Sequence, residues 1–493
     1  MRVLMVGIVL ALAAWPAPNI FGQSSSGDSS GSGGLGADGL AGSGNGVAGG
    51  AAMADFQTLI NLIETTIDPL GWAVAGGAGE NSITPYPSGV YVDPRGHLSR
   101  VVVEPLIDQE HFIAPDQPRH PWRTESRLRT ISLHALDQAL QQSFASGVPP
   151  GAEILKLAGL SRIEYVYVAP EQEDVFLAGP AGDPGFGFHL QDLAIVTASV
   201  DHNTSPLGCT IEASDAGVIA AQQYLNQPGV MKQLSQHPRA ITAKIEEAIG
   251  PHHVHVFGIS PTSGTALALV DADEHMKQVG FGAVRTAPRI KNYFDHLDPQ
   301  ANVPPQSLIR WWFAYSDESV KANPDRRMFQ LPKQSVCVLS EQQWMSQNGR
   351  APTGQHDAAS DAFASEFTAN IPHLRAQHPS YARLCSVFET ALALQLALPE
   401  TGQPSFRAWF PHLCAIGNAQ EDDDAEPKTV AGLATSHRLP NGSVVAVVSG
   451  GVKVDPVLMA DNRAWEYANG LSHTLLPQEP KVPSLSHDAW WWD

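Results

Sequence analysis

Apolar side chains return at helical spacing at Phe56, Leu59, Ile60, Ile63 and Ile67, behind Asp55 as a capping residue and ahead of Pro69. That spacing predicts a first helix. Residues 89–93 and 98–103 then alternate around Asp93, Pro94, Arg95 and Gly96, the pattern of a hairpin. Leu133, Leu136, Leu140 and Phe144 form an apolar helical stripe that Ser132 can cap. Ile163, Tyr165 and Tyr167 alternate as a strand, and residues 175–178 supply an antiparallel partner across a short acidic turn.

Further along, residues 190–199 read as a helix, 209–211 as a strand, and Ser214 or Asp215 opens a helix through Tyr224. A longer helical pattern over 230–249 is interrupted at Pro238, because proline lacks the amide proton the helix needs. It leads into residues 251–282, where Val254, Val256 and Ile259 make a strand and a turn delivers a helix. That helix has Ala266, Leu269, Val270 and Met276 on one side and Asp271, Glu274, Lys277 and Gln278 on the other.

Residues 290–297 read as a helix, and the run LIRWWFAY at 308–315 as a buried strand. Strands follow at 329–331 and 336–339. Two helices are marked by Phe363 and Phe367 and by Leu384, Val387, Phe388, Ala391, Leu394 and Leu398. Residues 429–435 and 444–448 make a hairpin about Pro440, Asn441 and Gly442, and an exposed WWWD closes the chain. The mixture of elements predicts an α+β fold, with mixed or antiparallel sheet units and packed helices. A small N-terminal unit at 53–104 (helix plus hairpin) and a Pro-rich linker at 105–123 precede a central domain at 124–456 and a Trp-rich tail at 457–493.

Composition changes the picture chiefly at the start of the chain. Arg2 followed by the apolar run 3–14 is too short to span a bilayer and suits a secretory signal, so residues 1–23 are read as a signal peptide. Residues 24–52 carry Gly, Ser, Ala and Asp with almost no apolar side chains, the composition of a disordered tether. No later apolar run approaches a transmembrane helix, which predicts an exported chain, periplasmic or extracellular. Across 493 residues, 30 Lys and Arg stand against 50 Asp and Glu, a formal charge of -20 that disfavours nucleic acid. Part of that acidity is the run Glu421, Asp422, Asp423, Asp424 and Glu426, read as a solvated loop. Cys209, Cys337, Cys385 and Cys414 allow three disulfide pairings or none, and their spacing fits no metal motif.

Candidate chemistry concentrates at 251–282. His253 and His255 are two apart on a strand and face one side, a spacing that suits zinc; Asp271, Asp273 and His275 could complete the ligand set, with Glu274 as a base. Asp271 and Glu274, with Lys277 or Gln278, also read as the solvated polar side of a helix, which needs no ligand to explain it. Ser260 and Ser263 lie between strand and helix, but the G-x-S-x-G spacing of a nucleophile elbow is absent. Trp311, Trp312 and Tyr315 offer stacking surfaces for a polysaccharide or protein partner, although strand alternation turns neighbours to opposite faces.

The blocks LAGLSRIEYVYVAPEQEDVFLAGP, PLGCTIEAS, HVFGISPTSGTALALVDADEHMKQVGFG, RWWFAY, ASDAFASEFTANIPHL and VSGGVKVDP, in that order, resemble a planctomycete family of exported proteins, domain of unknown function 1598. The resemblance covers about residues 128–456. It implies location and lineage rather than an activity, and carries no metal site onto His252, His253 or His255.

Together these features predict an exported binding or structural protein of the bacterial cell envelope, non-catalytic and without a cofactor, whose partner is an envelope protein or a polysaccharide. The alternative is an exported zinc-dependent hydrolase built on His253, His255, Asp271, Asp273 and His275.

Overall fold

Strand alternation in LIRWWFAY sets how the centre of the molecule is layered. Ile309, Trp311 and Phe313 are buried on one face of the Gln306–Tyr315 strand, while Leu308 packs on the other against a helical cluster containing Val218, Ile241 and Ile245. The large sheet is therefore covered by helices on both faces.

The protein is seen in a computed structural model, which describes residues 89–92, 97–101, 121–182, 187–203, 205–298, 306–346, 349–417, 426–439, 442–477 and 490–493. These lie in one compact unit, Gly89–Asp493. The expected signal peptide, tether and 56–67 helix lie outside the described residues, as do nearly all of the Pro-rich linker and most of the acidic run.

The large sheet runs, in spatial order, Gly89–Val92, His97–Val101, Thr429–Val430, His252–Phe257, Leu207–Glu212, Gly442–Val454, Gln306–Tyr315, Val336–Ser346 and Gly349–Pro352, and Ala434–Leu439 also pairs with Gly442–Val454. It is mixed: Gly442–Val454 runs parallel to Gln306–Tyr315 and antiparallel to Leu207–Glu212. The hairpin expected near residue 90 forms, and its second strand joins this sheet through Thr429 and Val430.

A smaller mixed sheet runs Glu466–Tyr467, Lys321–Ala322, Met328–Gln330, Tyr165–Ala169, Asp174–Ala181, Ser126–Ser132 and Trp491–Trp492. Two long helices, Ala358–Gln377 and Pro379–Thr401, connect the layers; the second reaches the small sheet at Tyr165–Ala169. The protein is thus an α+β fold of two mixed sheets with packed helices.

At the middle lies the helix Gly264–Gly280, here called the central helix, which packs on the large sheet with one side and on Pro379–Thr401 with the other. Ser263 caps it by accepting a hydrogen bond from the Ala266 amide at 3.1 Å. Its last residue must be small, because a Cβ on Gly280 would stand 2.3 Å from the Trp311 ring.

Several expected elements form within a residue or two of their predicted ends, among them the Ser132-capped helix Leu133–Ser146 and the pair Val230–Gln236 and Pro238–Ile249. Three expectations are corrected. The 290–297 helix is only the short turn Tyr293–His296, since Asn292 and Asp295 form a reciprocal capping box that starts it there. The 429–435 strand divides in two: Thr429–Val430 pairs with His252 and His253, and Ala434–Leu439 makes the hairpin. The closing WWWD is not exposed as a whole: Trp490 and Trp492 are buried, and Trp491 and Trp492 pair as an edge strand with Ile131 and Thr130.

Candidate functional site

The central helix is buried all round, and its polar side chains meet protein rather than solvent. Lys277 Nζ lies 2.9 Å from Asp273 Oδ2 and 3.6 Å from Glu274 Oε2, all deep in the interior. Asp273 also reaches from the middle of its helix to the large sheet, where its Oδ1 accepts the Gly451 amide at 2.7 Å. A Cβ on the adjacent Gly450 would stand 2.5 Å from that oxygen, which is why the Gly450-Gly451 pair is required here. Burial raises Asp273 and Glu274 above the carboxylate range, and Asp273 raises Glu274 further. Burial works to lower Lys277, but Asp273 and Glu274 hold it above the ordinary lysine range.

The neighbouring contacts also close on themselves. Arg383 grips Asp192 in a two-pronged pair, Nε to Oδ2 at 2.9 Å and Nη2 to Oδ1 at 2.5 Å, and Thr265 donates to the same carboxylate at 2.6 Å. Burial opposes the charge on Asp192, yet Arg383 holds its carboxyl below the usual range. His275 Nδ1 is 2.7 Å from the Tyr381 hydroxyl. This is a structural ion network, in which each buried charge faces another charge.

The expected metal ligands separate in this arrangement. His253 and His255 project from the exposed face of their strand, while Asp271, Asp273 and His275 are buried along the central helix. Among the described residues no group of three or more His, Cys, Asp and Glu side chains is placed to hold a metal ion. The expected aromatic surface separates too. Trp311 is fully buried, its Nε1 donating to Ser360 Oγ at 2.8 Å and its ring 4.4 Å from Phe363. Tyr315, on the same side of the strand, donates its hydroxyl to the Phe388 carbonyl at 2.7 Å. Trp312 turns to the opposite face, beneath the Arg310 guanidinium at 5.0 Å.

A cleft of about 690 Å³ opens elsewhere, where the small sheet meets the two long helices. Its lining includes Ser126, Arg127, Gly159, Arg162, Pro180, Lys333, Ser335, Arg375, Cys385 and Glu389. Four cations (Arg127, Arg162, Lys333 and Arg375) face two carboxylates, Glu125 and Glu389. Glu389 is taken internally: it is paired in both oxygens with Arg375, and its Oε2 accepts the Ile163 amide at 3.0 Å. Arg127 and Lys333 are exposed and bonded to no described residue, and the buried Nε of Arg162 has no partner among the described residues. Ser335, only 4% exposed, likewise keeps an unpartnered hydroxyl. A cleft of this size with converging donors suits a small anionic ligand.

Nucleophilic chemistry is disfavoured at this cleft. Cys385 is pushed up to about 11 by burial, so its thiol stays protonated near neutrality. No histidine stands among the described lining residues to serve as a base. Sequence reasoning missed the cleft because Arg127, Arg162, Lys333 and Arg375 are separated by 35, 171 and 42 positions and form no local motif. Only the pairing of distant strands brings them together.

Residues 209–293 match the family model described as Protein of unknown function (DUF1598). The match runs from the Leu207–Glu212 strand through the central helix, and so takes in Asp273, Glu274 and Lys277 but not the cleft. It supports a domain of unknown function over residues 209–293, within the wider 128–456 stretch that carries the resemblance. No curated protein and no solved structure matches the chain. Among the described residues no helix is long and apolar enough to cross a membrane.

Proposed function

We propose that the protein is a non-catalytic binding protein of the cell envelope that holds an anionic glycan segment in the Arg127–Arg162–Lys333 cleft. One observation carries the reading: in a chain of formal charge -20, a cleft collects four cations, of which Arg127 and Lys333 are bonded to no described residue and Arg162, whose Nη2 donates to the Pro332 carbonyl, keeps its Nε unpartnered among the described residues. An exported location is supported by the apolar run 3–14 behind Arg2, and the 24–52 tether would give the folded unit reach from an anchored or secreted start.

Isothermal titration of the full chain with oligogalacturonate and with a neutral dextrin of equal length tests this. Binding of the charged oligomer alone is expected, weakened about tenfold or more in Arg162→Ala and in Lys333→Glu, and weakened by added salt. Equal heats for both oligomers, or an unchanged affinity in the two variants, would overturn it.

A further inference from the structure

Arg129 is fully buried, and its charge is answered from a remote part of the chain. Its Nε donates to Asp493 Oδ1 at 2.7 Å and its Nη2 to Asp493 Oδ2 at 2.8 Å, a two-pronged pair between residues 364 positions apart. The remaining donors go to backbone carbonyls: Nη1 to Trp122 and Ala158, Nη2 to Thr124. Asp493 is the carboxylate paired with Arg129 among the described residues, and it is itself 44% exposed. The host side of this contact is thus a rigid, buried cation, and the guest side is a carboxylate presented from solvent.

The rest of the guest is equally concentrated. Trp491 lays its ring over the Arg129 guanidinium at 4.2 Å and donates Nε1 to Glu153 at 2.5 Å. Trp492 inserts against Phe176 and donates Nε1 to the Pro477 carbonyl at 2.8 Å. The backbone adds a two-residue strand to the open edge of Ser126–Ser132, and the Ser132 amide donates to the Trp490 carbonyl at 3.0 Å. Added strand, aromatic anchors and a captured carboxylate are the means by which proteins recognise separate peptides at a sheet edge.

We infer that the Arg129 edge is a peptide-binding site for an acidic Trp-Trp-Asp segment, filled here by the chain's own residues 490–493 and able to take the same segment as a separate molecule. Both sites use the Ser126–Ser132 strand, but Arg129, Trp491, Trp492 and Asp493 do not line the anion cleft, so the inference does not depend on that reading.

The test uses the full chain carrying Trp491→Ala and Asp493→Ala, titrated with a fluorescently labelled Ala-Trp-Trp-Trp-Asp peptide, the sequence of residues 489–493. The peptide should bind this variant at least about tenfold more tightly than the wild type, whose edge is occupied, and a peptide ending in Ala should lose at least about tenfold. Equal binding to variant and wild type, or indifference to the aspartate, overturns the inference. Should the variant fail to fold alone, the peptide added during refolding should restore its circular dichroism and thermal transition. A variant that stays unfolded with the peptide in excess overturns it equally.

Discussion

Lys277 and Asp273 stand one helical turn apart with Nζ and Oδ2 at 2.9 Å and neither side chain exposed, so the ammonium and the carboxylate neutralise each other where water cannot. Removing Lys277 leaves two interior carboxylates, Asp273 and Glu274, with no cation between them. Lys277→Met is expected to cost about 3–5 kcal/mol, and adding Asp273→Asn to it should recover at least about half of that loss. Urea unfolding midpoints of the two single variants and the double variant check this, and simple additivity of the two losses contradicts it.

His252 has a fully buried ring with both nitrogens unpartnered among the described residues, and burial, then Lys277, Arg350 and His253, lowers it from 6.5 to about 3. His189 is lowered to about 3 as well, by burial and then Arg383. The folded chain therefore binds fewer protons than the unfolded one between these values. Stability is complete above pH 6.5 and falls as pH drops toward 3, by roughly 3 kcal/mol per histidine at pH 4. His252→Leu should flatten the acid limb of a stability–pH curve and leave stability at pH 8 unchanged or higher; an unaltered acid limb would count against this.

Glu274 works with the opposite sign, because burial raises its carboxyl. Its destabilising charge is present above its folded-state value and is relieved as pH falls through it. Glu274→Gln should accordingly gain stability relative to wild type at pH 8 and gain little at acid pH, read from the same unfolding series.

All four cysteines are free, and Cys209, Cys385 and Cys414 are buried. Burial pushes Cys337 and Cys385 up to about 11 and Cys414 up to about 12. Alkylation at pH 7.5 followed by intact mass measurement should show little labelling of the native chain, with half-buried Cys337 first to react, and four labels after unfolding without reductant. Labels that appear only after reduction would contradict free thiols.

Gly450→Ala should be among the most damaging single changes in the large sheet. Its Cβ would lie 2.5 Å from Asp273 Oδ1 and 2.6 Å from the Trp311 carbonyl, two groups fixed by the fold. A loss of about 3 kcal/mol or more, seen as poor soluble yield and a lowered melting temperature, is the expected outcome.

Local periodicity made most single elements legible. Ser132 caps the helix that its position before an apolar stripe implied, and of the two candidates Ser214 and Asp215 it is Ser214 that caps the next. What escaped was long-range. That Thr429 would sit between His97 and His253, or Trp491 beside Ile131, depends on strand pairing across hundreds of residues, which no window of sequence contains. The polar residues of 251–282 misled for a related reason: Asp271, Glu274 and Lys277 have the spacing of the solvent side of a surface helix, but a second helical layer covers them, and with Asp273 they lie in the interior.

Gly442–Val454 occupies the middle of the large sheet, between Leu207–Glu212 and Gln306–Tyr315, although it is the last of that sheet's strands along the chain. During synthesis the strands on either side are complete long before it, and each would present an unpaired inner edge. Such edges pair with other chains as readily as with their own. The fold is therefore reached as a late closure, in which one strand joins two waiting half-sheets, and anything that delays that strand's arrival lengthens the chain's exposure to aggregation.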